Sequence, residues 1–183
     1  MFSLDAYAFL HHSRRRSSLG FAAEVAKAKE IRLLDGHLSL ATQVDVSPSS
    51  CAPTQSERFS VLSDLTSSDG SFSVLVTYGK HSLDTPPSVA DVLRGKVSSY
   101  SSLNGKARHF HWIDHRVIER DGRQWAEICF SHDNDSGAHV YTRCVSCFVH
   151  GHLLEIWALT RRAAESAQKG YVDELIGSIR LTS

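Results

Sequence analysis

RHFHWIDHRVIERDGRQWAEICFSHDNDSGAHVYTRCVSCFVHGHLLEIWAL, residues Arg108–Leu159, holds four segments of alternating apolar and polar side chains joined by short turns. A period of two marks a β-strand, whose successive side chains point to opposite faces. Two dipeptides set the pairing. Asp121-Gly122 lies between HFHWIDHRVIER and RQWAEICFSH, and a two-residue hairpin turn wants positive φ at both central positions, which Asp tolerates and Gly adopts freely. His150-Gly151, between VYTRCVSCFV and HLLEIWALT, reads the same way, with His a poorer first residue than Asn or Asp.

With Asp121 and Gly122 as the loop, one face of the ladder pairs Arg120 with Arg123, Ile118 with Trp125, Arg116 with Glu127 and Asp114 with Cys129. The other face is expected to carry the core. It pairs Val117 with Ala126, His115 with Ile128, Ile113 with Phe130 and His111 with His132. In the second hairpin Phe148, Cys144 and Thr142 share a face with Leu153, Trp157 and Leu159, while Val149, Cys147, Val145 and Tyr141 share the opposite one with Leu154, Ile156 and Ala158. Both faces are apolar, so such a sheet needs cover above and below.

Outward from that core, LGFAAEVAKAKE after Ser18 has the composition of a short helix, with Phe21, Val25 and Ala28 on one side. Asp35-Gly36 separates IRLL from HLSLATQV as a third hairpin, and the Ser- and Pro-rich VSPSSCAPTQSE reads as loop. FSVLSDL and SFSVLVTYG are strands parted by a turn around Asp69 and Gly70. Ser88 with Asp91 makes a capping box after Pro86-Pro87, and Val89, Val92, Leu93, Val97, Tyr100 and Leu103 recur at helical spacing behind it. A last helix falls between Ala163 and Ser178, interrupted at Gly170. The fold class is α+β: a mainly antiparallel sheet of about six to seven strands with helices packed on both faces. Residues 1–30 form an N-terminal tail and short helix, and 31–183 a single sandwich domain. Ile31 to Leu34 and Phe72 to Gly79 are the expected sheet edges.

A chain of 183 residues suits one domain without a metal or disulfide staple. Twenty basic and twenty acidic residues cancel, so no general field draws the protein to nucleic acid or acidic lipid. Eleven His are many for this length and would raise the net charge between neutral pH and about pH 5 where exposed. Cys51, Cys129, Cys144 and Cys147 form no regular framework, and the start MFSLDAYAFLHHSRRRSS puts its Arg run after the apolar patch rather than before it. A cytoplasmic protein without a membrane span is the expectation.

The order of elements, with "RQWAEICF", "GHLLEIWALT" and "DELIGSIRL" in sequence, resembles the PsbP-like superfamily, including its DcrB-related branch, over roughly Ile31 to Leu181. The Pro and Trp that often follow the second strand in those proteins are missing here, since Pro48 sits in a serine-rich loop with no Trp nearby. The resemblance implies an α/β/α sandwich, no shared catalytic constellation, and action by docking to other proteins. Members include the photosystem II extrinsic subunit, a nuclear-import factor that binds a small GTPase, and bacterial relatives associated with secretion as effector chaperones.

The residues themselves offer three groups with chemical potential. Cys144, Cys147, His150 and His152 are soft ligands within nine residues, but residues three apart on a strand point to opposite faces, so both cysteines read as small core hydrophobes and no metal is expected there. His109, His111 and His115 alternate onto one face, with His132 across from His111 and His139 nearby; a divalent cation could bridge such a pair, but no carboxylate motif accompanies them, and they read first as amphipathic strand residues at the less covered end of the sheet. Arg116 reads as an exposed cross-strand partner of Glu127, and Trp112, Trp125 and Trp157 as packing residues. No nucleophile elbow, phosphate-cradling loop, dinucleotide fingerprint or zinc-protease helix occurs. The leading reading is a non-enzymatic protein-binding or ligand-binding module, an adaptor or chaperone-like protein of a bacterial system, with no cofactor and with His109, His111, His132, Arg116 and Trp125 as its binding residues. The alternative is a metal-assisted or thiol-dependent enzyme using the His109, His111 and His132 group or a cysteine. A protein partner is expected.

Overall fold

The computed structural model of the chain describes residues 28–49, 59–80, 87–101, 108–163 and 166–182. Strands β1 (Lys29–Leu33) and β2 (Leu38–Thr42) are joined by the turn Leu34–Gly36. β3 (Val46–Pro48), β4 (Phe59–Ser67), β5 (Phe72–Lys80) and α1 (Val89–Ser101) follow, then β6 (Arg108–Arg120), β7 (Arg123–Asp133), β8 (His139–Val149), β9 (His152–Thr160), α2 (Ser166–Ser178) and β10 (Arg180–Leu181). The strands make a seven-stranded antiparallel sheet in the order β3-β4-β5-β9-β8-β7-β6 and a three-stranded one in the order β1-β2-β10. The fold is therefore α+β, with two helices among the described residues.

The turns form where their residues permit left-handed backbone. Asp121 and Gly122 have φ of 51° and 68°, and His150 and Gly151 have 49° and 77°, the double positive of a two-residue hairpin. β8 and β9 then pair as their alternation requires, Cys144 with Trp157, Val145 with Ile156 and Cys147 with Leu154. Leu33 pairs with Leu38 and Ile31 with Leu40 around the Asp35-Gly36 turn. At α1 the capping box closes in both directions: Asp91 N donates to Ser88 Oγ at 3.1 Å, and Ser88 N donates back to Asp91 Oδ2 at 2.9 Å.

Alternation along β8 feeds two apolar clusters. Val145 and Cys147 join Trp125, Cys129, Leu154, Ile156 and the α2 residues Val172, Leu175 and Ile176. Cys144 joins Leu75, Ile128, Phe130, Trp157 and Tyr100 of α1. Tyr100 lies 5.1 Å from the Phe130 ring and 5.8 Å from Trp157, spacings at which tilted aromatic pairs attract beyond their buried area.

Several expectations are corrected. Lys29 and Glu30, the end of the expected first helix, are strand, because they pair with Thr42 and Ala41; Ala28 before them is not helical, and the rest of that helix lies outside the described residues. Val46–Pro48, read as loop, pairs with Leu65 to Ser67 as β3. Gly170 does not interrupt the last helix, which runs from Ser166, while Ala163 is buried in the preceding turn. Burial of Val172, Leu175 and Ile176 outweighs the cost of about 1 kcal/mol that an interior glycine carries. Phe72–Lys80 is not an edge, since it lies between β4 and β9.

The first hairpin holds the main departure. Its register is as expected from Arg120 with Arg123 up to Asp114 with Cys129, and then slips: Trp112 pairs with Phe130, His111 with Ser131 and Arg108 with Asp133. Each slip is a bulge, one extra residue on β6. The extra residue of the first is Ile113, so Ile113 does not face Phe130 and is 47% exposed; Val117, also expected in the core, is 39% exposed. The bulge brings Phe110 and Trp112 onto the face of Phe130, at 5.4 and 5.7 Å between rings, while Asp114 and Arg116 stay beside Glu127. Strict alternation would have put those aromatic and charged side chains on one face.

Candidate functional site

The β6–β8 side of the large sheet carries a buried carboxylate. Glu127 in the middle of β7 is 1% exposed, and a charge so placed must be paired. Arg116 Nε donates to its Oε2 at 3.1 Å, and Arg143 Nε donates to its Oε1 at 2.9 Å. Arg143 also reaches Asp173 of α2 at 2.7 Å, where the Tyr141 hydroxyl donates to the same oxygen at 2.8 Å. Arg120 donates to the Ile176 carbonyl at 2.5 Å. Burial alone would lower the Arg143 pKa, and its bonds to Glu127 and Asp173 raise it instead; burial, Cys129 and Asp173 together keep Tyr141 a neutral phenol. The Arg116–Glu127 pair is the expected one. Burial of Glu127 makes it a joint between β6, β7, β8 and α2 rather than a surface ion pair.

On the α1 side Lys96 is 5% exposed. Its ammonium pairs with Glu155 of β9, approaches Cys144 Sγ at 3.7 Å and stands 4.5 Å above the Trp157 ring. Burial pulls the Lys96 pKa down, and its negative partners bring it back above the ordinary value. Cys144 is pushed up to about 12 by burial, so it is a neutral thiol at neutral pH and Glu155 is the partner that keeps Lys96 charged. Sequence reasoning missed this pair. Its signal was present: Val92, Lys96 and Tyr100 are four residues apart on one helical stripe, and Glu155 interrupts the apolar HLLEIWALT.

The expected histidine group does not assemble. His111 faces Ser131 across the ladder, and His132 pairs with Val140, is 3% exposed and lies 5.9 Å from the Phe130 ring. The Ile113 bulge also separates His111 from His115, whose ring lies 5.5 Å from Trp112. Instead, Asp133 gathers two imidazoles: His109 Nδ1 lies 2.6 Å from Oδ2 and His139 Nδ1 2.8 Å from Oδ1. These contacts hold the Asp133 pKa below the usual carboxylate range. Among the described residues no group of three or more His, Cys, Asp and Glu side chains is placed to hold a metal ion.

Cys144 and Cys147 fall into different apolar clusters, as strand alternation requires. Cys129, Cys144 and Cys147 are free and buried. Burial pushes Cys147 to about 12 and raises Cys129 as well, away from the thiolate that nucleophilic chemistry needs. Trp125 is completely buried, so it packs the core and touches no surface partner. Of the five expected binding residues, His109, His111 and Arg116 are exposed, and all three lie on β6. That strand is the outer one of the large sheet and carries the exposed Ile113 and Val117.

No protein-family model matches the chain, and no curated protein matches it in sequence. Its fold is that of PsbP-like proteins. Cyanobacterial PsbP (CyanoP) from Synechocystis sp. PCC 6803 matches with a TM-score of 0.62 at 10% identity, over 90% of this chain and 98% of that one. PA94, a protein of unknown function from Pseudomonas aeruginosa, matches with a TM-score of 0.46 at 11% identity, over 81% and 93%. LpqN of Mycobacterium tuberculosis, involved in cell envelope biogenesis, matches at 0.46 and 9%, over 86% and 91%. The likeness to CyanoP carries the assignment of fold.

Proposed function

We propose that this protein is a non-enzymatic docking module that takes an extended polypeptide strand along the outer edge of β6, with His109, His111 and Arg116 beside the docked chain. The observation that carries the reading is the state of β6: thirteen residues long, hydrogen-bonded to β7 alone among the described residues, and exposing Ile113 and Val117. Backbone groups along such an edge supply affinity, and side chains at alternate positions supply selection. The architecture supports the same reading. Alternate residues of β8 enter two apolar clusters, one joined by α1 and the other by α2, as in a sandwich with a helix on each face, which braces β6 through β7.

Chemistry by a metal or thiol finds less support, since His132 is buried away from His111 and burial raises the pKa of the three described thiols. Free buried thiols also favour a reducing compartment such as the cytoplasm. No helix among the described residues is long and apolar enough to cross a membrane. The test compares the proteins captured from a bacterial lysate by the wild type and by Ile113→Lys/Val117→Lys, both folded by circular dichroism. Binding partners present with the first and lost with the second are expected. Identical captures would remove β6 as the docking edge.

A further inference from the structure

Asp133, at the end of β7, is a carboxylate covered over most of its surface, and its ion-pairing partners among the described residues are both imidazoles. Its side chain is 18% exposed, with His109 Nδ1 of β6 on one oxygen and His139 Nδ1 of β8 on the other. A carboxylate so placed gains from an opposite charge. Here that charge exists only while an imidazole is protonated, and ordinary histidine changes charge between about pH 5 and 8. The side chains of His109 and His139 are 80% and 40% exposed, so water screens the two cations from each other when both are protonated.

The backbone is strained at the same place. Between Arg108 and His111 β6 carries one residue more than β7, and His109 within that bulge has φ 53°, the left-handed region in which bulges favour glycine. The bond to Asp133 offsets that strain at the residue that bears it. Next to it, Phe110 lies 5.3 Å from the Trp112 ring and 5.4 Å from Phe130. From the paired imidazoles and the strained bulge we infer that Asp133, His109 and His139 form a pH-sensitive clasp on the head of β6, shut in mildly acidic solution and loosened above neutral pH.

The sign follows from the two partners. The contacts to His109 and His139 hold the Asp133 pKa below the usual carboxylate range, so Asp133 stays ionised wherever the imidazoles titrate. Charge-assisted hydrogen bonds are about twice as strong as neutral ones; as pH rises through the imidazole range that excess disappears, and the strain at His109 remains. The neighbouring charges do not replace it. Arg108 meets Asp133 through the strand ladder, and His111 stands opposite Ser131. Arg143 and Tyr141 on β8 are bonded to Asp173 of α2, and Lys169 of α2 stands 5.7 Å over the Tyr141 ring. His132 lies against Phe130, and Asp135 is exposed in the turn beyond β7. Because residues 108–112 are the head of the edge proposed for docking, the clasp sets how much of that edge is presented at a given pH. It belongs to the free protein, so its failure leaves the docking reading untouched, and the loss of that reading leaves the clasp.

The test is hydrogen exchange of the full chain at about pH 5.5 and about pH 8, each amide corrected for its intrinsic rate. Protection at residues 110–112 is expected to be at least about fivefold greater in acid. At residues 118–120, the foot of the same strand, it is expected to change by less than about twofold, which separates the clasp from a change in global stability. Asp133→Asn, which keeps an oxygen and removes the charge, is expected to bring the ratio at 110–112 within about twofold of one. His109→Asn, a residue that tolerates left-handed backbone, is expected to lower that ratio at least about twofold, and it carries the test from an exposed position should Asp133→Asn fail to fold. A ratio near one in the wild type, an equal ratio at both ends of β6, or a ratio that survives in the folded variants overturns the inference.

Discussion

Asp69 organises the β4–β5 turn with one carboxylate. Its Oδ1 accepts from Ser67 Oγ at 2.7 Å, Ser71 N at 2.9 Å and Ser71 Oγ at 2.7 Å, and its Oδ2 meets Arg162 at 3.0 Å. Burial opposes the charge, and these donors overcome it, so the Asp69 pKa lies below the ordinary carboxylate value. A lowered folded-state pKa contributes stability that is complete above the unfolded value of about 3.9 and disappears as pH falls through the folded one. Asp69→Asn is therefore expected to lose about 1 kcal/mol near neutral pH, with the gap to wild type closing below about pH 4; urea unfolding across pH checks this, and a gap that widens in acid refutes it. Such turns were legible in the sequence because their chemistry is local. Asp121-Gly122 and the Ser88–Asp91 box also involve residues within three positions of one another, so the letters alone carry the geometry. Even His150 at φ 49° was legible through the Gly151 that follows it.

Elements show where local reading stops. The Ile113 bulge leaves no trace in composition, because one inserted residue in an alternating strand looks like continued alternation; what decides it is the pull of Phe130 and Tyr100 on Phe110 and Trp112. The predicted faces of β6 were accordingly right up to Asp114 and wrong beyond it, and the His111–His132 pair was lost with them. Lys96 and Glu155 test the energetics of an element contact. A buried ammonium left without its carboxylate is costly, whereas replacing both charges by apolar groups is often neutral. Glu155→Leu alone is expected to destabilise by about 3 kcal/mol and Lys96→Met/Glu155→Leu to recover most of that loss, measured by denaturant unfolding. A double variant no more stable than the single would show that the Lys96 charge is not what the sheet must neutralise.

For the molecule as a whole, period-two alternation established an antiparallel α+β fold and the pairing of β8 with β9, because both follow from neighbouring segments joined by tight turns. Strand order did not follow: β5 sits beside β9, about eighty residues later in the chain, a long-range pairing for which neither segment holds a local signal. Of the two expected edges, β1 does stand at the rim of the small sheet, whereas β5 is interior and β6 forms a rim of the large one. The core gives a molecule-wide prediction. In a Cys51→Ser variant the thiols Cys129, Cys144 and Cys147 are expected to react with a chromogenic disulfide only as fast as the protein unfolds, since each is buried and its pKa raised; prompt release of colour from native protein would reveal an accessible thiolate. The far rim of the same sheet has a different character. It finishes in three residues ending at Pro48, whose ring nitrogen has no hydrogen to give. A rim blunted in this way gives an incoming strand fewer backbone donors to pair with, so growth of the large sheet past β3 is disfavoured.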